Sequence, residues 1–279
     1  MNLKEKMELA KKAGFEGIEL SITAEGELSV NSSNDDLLKI KQSAKESGII
    51  INSIACSLNW QYSITSNVEE IRVKAKSNIM RQLEIASVME VDAILVLPGF
   101  VGLDFKSTDL FKDPNKIDYF PGNEVIDYDI AWERAVAAFI ELGYKAGEKG
   151  ITICIENIWN KFLLSPIEMK YFLGQVSSDY VKVYFDTGNC MLYGYPEHWI
   201  KILGSDIKRV HLKDFRRGTS NLLGFVDLLA GDVDFVKVIG QLESVGYDGW
   251  VTAEITNYKQ YPELTVYNTS YAMDKIIGR

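Results

Sequence analysis

The chain has 279 residues, 47% hydrophobic and 25% charged, with six prolines and a formal net charge of −9. That composition describes a globular protein able to bury a large core, expected as one domain over 1–279, and it excludes disordered and fibrous chains. The acidic balance argues against nucleic acid as a partner. With no apolar run of about 18 residues and a charged first twenty, there is no membrane span or signal peptide to argue from, so a cytoplasmic protein with a small-molecule ligand is expected.

A helix-period segment followed by a short β-branched run recurs along the sequence. KEKMELAKKAG precedes FEGIELS, DDLLKIKQSAKESG precedes IIINSIACS, and the long segment from Ser66 to Glu90 precedes VDAILVLPG. The next helical stretch, 128–150, leads into ITICIEN. SPIEMKYFLGQVSS, PEHWIKILGS and DVDFVKVIGQLESVG then lead into VKVYFDTGN, RVHLKD and GWVTAEI. Gly14, Gly48, Gly150 and Gly246 fall where helices end, and Ser165-Pro166-Ile167-Glu168 reads as a capping box with proline at the first helical position. Such alternation implies parallel strands joined by helical crossovers. Cys56, Cys154 and Cys190 lie within or just beyond these strands without CxxC spacing and are expected as reduced thiols.

Side chains alternate between the two faces of a strand, so the phase of each run discriminates between parallel architectures. Ile151, Ile153 and Ile155 oppose Thr152, Cys154 and Glu156; Val181, Val183 and Phe185 oppose Lys182, Tyr184 and Asp186. Val210 and Leu212 oppose Arg209, His211 and Lys213, while Val251, Ala253 and Ile255 oppose Trp250, Thr252 and Glu254. A doubly wound sheet is apolar on both faces, whereas a closed barrel keeps its helices outside and tolerates a polar inner face at the carboxyl ends of its strands. The phase therefore predicts a (β/α) TIM barrel.

Glu156, Asp186, His211 and Glu254 stand on the inner face near the ends of four successive strands. Three carboxylates and an imidazole converging there repel one another unless a cation lies between them. An oxygen-rich set with one nitrogen suits one divalent ion, Mn²⁺, Mg²⁺ or Co²⁺ ahead of Zn²⁺. The second histidine, His198, opens a helix and is expected to cap or pack. Glu19 shares the inner face with Gly17 and Ser21; it either bonds a substrate hydroxyl, supports a metal ligand, or pairs with a basic neighbour. Trp60, beside Asn59 and Gln61, fits a sugar's C–H face, or else anchors a loop. Lys161, Lys213, Arg216 and Arg217 cluster near strand ends, as capture of a phosphate or several hydroxyls requires; Lys213 alternatively pairs with Asp214 or with a ligand carboxylate.

ITICIENIWNKF, VYFDTGN, RVHLKDFRRG and WVTAEI, in this order, resemble the xylose isomerase-like TIM-barrel superfamily, in its branch of ketose and pentulose-phosphate 3-epimerases. The resemblance implies that Glu156, Asp186, His211 and Glu254 bind one divalent metal, and that Glu156 and Glu254 form the acid/base pair acting through a metal-stabilised enediolate. It also implies that Arg217 contacts substrate oxygens. Asn189, a further substrate-binding candidate, stands where free-ketose epimerases often carry histidine, which favours a phosphorylated ketose. The expected activity is epimerisation or isomerisation of a small sugar or sugar phosphate, by a homo-oligomer (dimer or tetramer). Dehydration of a cyclic polyol ketone needs the same proton abstraction and is the alternative, ahead of a metal-dependent endonuclease or a non-catalytic sugar-binding barrel.

Two structural expectations complete the reading. Residues 100–127, rich in Pro, Asp, Asn and Gly, form a lid or binding loop. Only seven strands are readable, although the family barrel has eight and its usual first strand precedes the helix that begins at Asn2. The gap between FEGIELS and GWVTAEI is therefore expected to be narrowed, covered by the segment around Tyr258 to Tyr271, or closed by a neighbouring chain.

Overall fold

The computed structural model describes residues 1–104 and 124–279. Eight helices are found among them: α1 (Leu3–Ala13), α2 (Asn34–Ser47), α3 (Glu69–Met89), α4 (Tyr128–Lys149), α5 (Pro166–Val176), α6 (Pro196–Leu203), α7 (Phe235–Ser244) and α8 (Pro262–Ile277). The predicted capping box exists: Ser165 Oγ accepts the Glu168 N–H while the Glu168 carboxylate accepts that of Ser165, with Pro166 opening α5. Asn2 with Glu5 and Ser33 with Asp36 start α1 and α2 in the same way. Gly48 and Gly150 close α2 and α4 in the left-handed region, φ 67° and 66°, a backbone conformation that side chains with a Cβ seldom adopt.

The strands are β1 (Gly17–Ile22), β2 (Ile50–Cys56), β3 (Ala93–Val96), β4 (Thr152–Glu156), β5 (Val181–Asp186), β6 (Ile207–Leu212), a two-residue ribbon of β7 (Asp214–Phe215) with β8 (Phe225–Val226), and β9 (Val251–Ala253). Seven form one parallel sheet in the order β1-β2-β3-β4-β5-β6-β9, curled into a nearly closed barrel with helices outside. The phase expected from sequence holds. Ile153, Ile155, Val183, Phe185, Val210 and Leu212 join the large core beneath the helices, whereas Ala93, Leu95, Cys154 and Tyr184 form a second, interior cluster. The amino end of the barrel is plugged by Arg209, which pairs with Asp92 and donates to the Asn52 carbonyl at 3.2 Å. All three cysteines are buried free thiols.

The seam between β1 and β9 is the place of the absent eighth strand among the described residues. Gly17 lets the Trp250 indole close in: a Cβ there would lie 2.9 Å from the ring. Asn52 Nδ2 donates to Thr252 Oγ1 at 2.8 Å, drawing β2 towards β9. α8 covers the outside and is tied to α1 by Ser270 Oγ, which donates to the Ala13 carbonyl at 2.6 Å. The gap is thus narrowed and covered by the C-terminal segment, leaving a cavity of about 520 Å³ lined by Leu9, Phe15, Val266 and Met273, and opening towards Glu19 and Glu254.

Of the expected loop over 100–127, residues 105–123 lie outside the described residues. Its described ends meet where Ile126 N–H donates to the Val101 carbonyl and Glu124 accepts from Ser66 Oγ. No helix among the described residues is long and apolar enough to cross a membrane.

Candidate active site

Glu156 and Asp186 are the last residues of β4 and β5, His211 is the penultimate residue of β6, and Glu254 directly follows β9. The carboxyl ends of neighbouring parallel strands lie at one rim of the barrel, which brings these side chains together. One donor atom from each lies within 4.8 Å of the others. His211 Nδ1 is 3.1 Å from Glu156 Oε1, 3.2 Å from Glu254 Oε2 and 4.0 Å from Asp186 Oδ2. Three of the four are buried; Glu254, with 43% of its side chain exposed, faces the opening.

The backbone around the cluster is held by neighbouring amides. Asn157 Oδ1 accepts the Asp186 N–H and Asn157 Nδ2 donates to the Asp186 carbonyl, locking the ends of β4 and β5 together. Asn189 donates its backbone N–H to Asp186 Oδ1 at 2.6 Å and its Nδ2 to the Asn157 carbonyl at 2.9 Å. With one carboxylate oxygen so occupied, Asp186 Oδ2 points into the cluster, buried and without a hydrogen-bond partner. A buried carboxylate oxygen without a donor costs stability unless a cation or proton meets it. The orphaned oxygen, two further carboxylates and one imidazole nitrogen fit a hard or borderline divalent ion.

The charges explain the proton affinities. Burial pushes the Glu156 carboxyl up, and Asp186 is raised well above the usual range, first by burial and then by Glu254 and Glu156 against the Lys213 ammonium. Burial would also raise Glu254, but Lys213 and His211 outweigh it and hold Glu254 well below the ordinary value. His211 is raised well above its ordinary value because Tyr184, Glu19 and Glu156 overcome the burial that favours neutral imidazole. Lys213 Nζ lies 2.9 Å from Glu254 Oε1, 3.9 Å from Asp186 Oδ2 and 4.4 Å from the Phe225 ring centre. It pairs with the Glu254 and Asp186 carboxylates and not with Asp214, whose oxygens accept the N–H groups of Phe215, Gly231 and Val233.

Glu19 reaches the cluster from β1, with Oε1 3.4 Å from His211 Nε2. Trp60, on the 3₁₀ turn after β2, stacks on Phe100 at 5.9 Å beside the interior cluster. Arg217 is turned aside: its guanidinium donates to the Gly194 carbonyl and lies over the Tyr195 ring at 4.5 Å. Lys161 pairs with Asp104, and Arg216 donates to the Ala230 carbonyl, so the four basic residues have separate partners. Asn189 acts as a strut, its carbonyl accepting from Trp159 Nε1. His198 stays at the start of α6, its ring 5.4 Å from that of Tyr195. Sequence reasoning missed Asn157, Ser53 and Thr187, whose Oγ1 accepts the Lys213 N–H at 3.0 Å and donates to the Lys213 carbonyl at 2.8 Å. Only the polar character of Asn157, one residue beyond Glu156, could have pointed to it.

A (β/α) barrel with a cation-ready carboxylate and imidazole cluster at the carboxyl ends of its strands defines a class of small-molecule barrel. The chain belongs to the xylose isomerase-like TIM barrel family, whose family model matches residues 7–273. It is 27% identical over 261 residues to a Haemophilus influenzae protein provisionally named L-ribulose-5-phosphate 3-epimerase SgbU, covering 91% of this chain and 84% of that one. It is 29% identical over 144 residues to an inosose dehydratase of Yersinia enterocolitica; that match takes in 45% of this chain and about half (48%) of the dehydratase. In fold it is similar to the D-psicose 3-epimerase of Clostridium cellulolyticum H10 in a crystal structure with D-tagatose: TM-score 0.73, 19% identity, 99% of this chain and 93% of that chain.

Proposed function

We propose that the protein is a divalent-metal-dependent epimerase or isomerase of a small ketose or ketose phosphate. The observation that carries the reading is the convergence of Glu156, Asp186, His211 and Glu254, with Asp186 Oδ2 buried among them and without a hydrogen-bond partner. Those four residues would hold the ion, which when bound supplies a Lewis acid that stabilises the enediolate oxygen as a carbon next to the ketone loses its proton. The remaining chemistry belongs to the side chains. Lys213 and His211 keep Glu254 ionised, and Glu156 meets the same His211 nitrogen from the end of β4. Two carboxyl groups of this kind can provide the base and the acid of a proton exchange. Placed on opposite sides of a substrate, they remove the proton from one face and return one to the other; the reverse reaction exchanges their roles. Trp60 and Phe100 offer an apolar wall for a sugar's C–H face.

The similarity to a provisionally named pentulose-phosphate epimerase supports a phosphorylated substrate. The partners of Lys161, Arg216 and Arg217 mean that a phosphate must draw these cations out of existing contacts. Dehydration is the second reading, favoured by the half-length match to inosose dehydratases. The test is incubation of protein loaded with Mn²⁺, Mg²⁺ or Co²⁺ with pentuloses, hexuloses, their phosphates and inosose in deuterated water. Deuterium at the carbon beside the ketone together with an epimeric product is expected. A product lighter by one water selects the dehydratase, and no exchange with any substrate and metal overturns both. A specificity constant for the free sugar equal to or above that for its phosphate removes the preference for phosphate.

A further inference from the structure

The two ring nitrogens of His211 face different surroundings. Nδ1 looks into the Glu156, Asp186 and Glu254 oxygens, whereas Nε2 faces Glu19 Oε1 at 3.4 Å. Glu19 stands outside the four-donor group, and its other oxygen accepts the Ser53 hydroxyl at 2.6 Å. Ser53 Oγ lies 3.2 Å from the Tyr184 hydroxyl, and the Tyr184 ring packs against the imidazole at 4.2 Å between centres. Ser53 and Tyr184 are wholly buried. The single Ser53 proton points to the shorter contact, so the Tyr184 hydroxyl donates to Ser53, Ser53 to Glu19, and Glu19 remains as acceptor for Nε2–H.

We infer that Glu19 is a positioning residue: through this relay from Tyr184 and Ser53 it holds the His211 ring with Nε2–H outward and the Nδ1 lone pair turned into the cluster. A half-turn of the ring about Cβ–Cγ would replace both nitrogens by carbon at their present contacts, and the Glu19 carboxylate together with the Tyr184 ring opposes that turn. A carboxylate accepting the far N–H of a ligating imidazole also raises its basicity, and losing such a partner typically weakens metal binding about 10- to 100-fold. A polarised chain of hydroxyls behind the carboxylate fixes it in turn. The inference rests on reading the cluster as a metal centre, and it is independent of the sugar.

The test uses the full chain labelled with ¹⁵N-histidine. Only His198 and His211 respond, and His198→Gln assigns the two. Loaded with diamagnetic Zn²⁺, the wild type is expected to show metal-shifted Nδ1 and a slowly exchanging proton on Nε2. Glu19→Leu should raise the Zn²⁺ dissociation constant about 10- to 100-fold by titration calorimetry and lose the slow Nε2–H signal. Glu19→Gln, which keeps an acceptor oxygen, should restore the signal and most of the affinity. If Glu19→Leu fails to fold, Ser53→Ala reads the relay one step back: a several-fold rise in dissociation constant and faster Nε2–H exchange are expected, and no change in either overturns the inference. It is also overturned by wild-type Zn²⁺ affinity in Glu19→Leu, including the case where only the KM for sugar rises and Glu19 proves to be a substrate contact. A proton found on Nδ1 in the loaded protein overturns it as well. Absence of sugar turnover with these readouts intact would sink the epimerase reading alone.

Discussion

Removing the metal should destabilise the protein, and the difference should widen as pH rises. In the metal-free chain His211 has its pKa raised well above the ordinary value, so its contribution to stability is complete below about pH 6.5 and is lost as pH rises through the folded value. The raised Asp186 and Glu156 carboxyls act in the same sense, since the folded state favours their protonated forms. A cation bound by the cluster would replace those protons. Its stabilisation therefore grows with pH by about 1.4 kcal/mol per unit for each proton displaced. Unfolding entropy of about 2.1 cal/mol/K per residue gives about 0.6 kcal/mol/K for 279 residues. A metal at about a thousand times its Kd contributes about 4 kcal/mol, or about 7 °C in Tm, and each displaced proton adds about 2 °C per pH unit above 6.5. Scanning calorimetry of chelator-treated and Mn²⁺-saturated protein between pH 6.5 and 8 measures both. A gap that stays constant or narrows with pH would refute the proton displacement, and no gap with Mn²⁺, Mg²⁺, Co²⁺ or Zn²⁺ would refute the metal centre.

Glu254→Gln should keep the fold and lose about 10²- to 10⁴-fold in turnover, because an amide cannot carry the proton; deuterium exchange near the wild-type rate would remove Glu254 from the acid/base role. Trp250→Ala should cost about 2 kcal/mol in urea unfolding, less than a fully buried ring, because the indole closes the seam against Gly17; an unchanged midpoint would show that the seam is held elsewhere. Gly231→Ala should lower stability by about 1 to 3 kcal/mol, since its Cβ would press on the Asp214 carboxylate and lie 2.8 Å from the Phe215 nitrogen; a Tm equal to wild type would mean that the loop after β8 yields freely.

Much of the barrel was legible because each strand repeats with period two and each helix carries its own start and stop signals. Glu156 and Asp186 were readable together because both follow an apolar outer-face series, Ile151-Ile153-Ile155 and Val181-Val183-Phe185, and each lies at the end of its strand. The β7–β8 ribbon was not legible, since two-residue strands carry no period; Asp214 pairs with Val226 in it, and its carboxylate accepts the N–H groups of Gly231 and Val233. The supports of the site escaped for a different reason. Ser53 and Tyr184 are 131 positions apart, and a serine in IIINSIACS reads the same whether it fills space or braces a carboxylate. Asn189 and Arg217 were singled out by motif position, yet a residue a few positions beyond a strand end can turn back to the chain as readily as outwards. Here the backbone carbonyls of Asn157 and Gly194 take their donors. Ligand-type residues are visible in sequence because their chemistry restricts the residue type and the strand end restricts the position. A bracing residue is restricted only by the partner it meets, and that partner is chosen by the closure of the barrel.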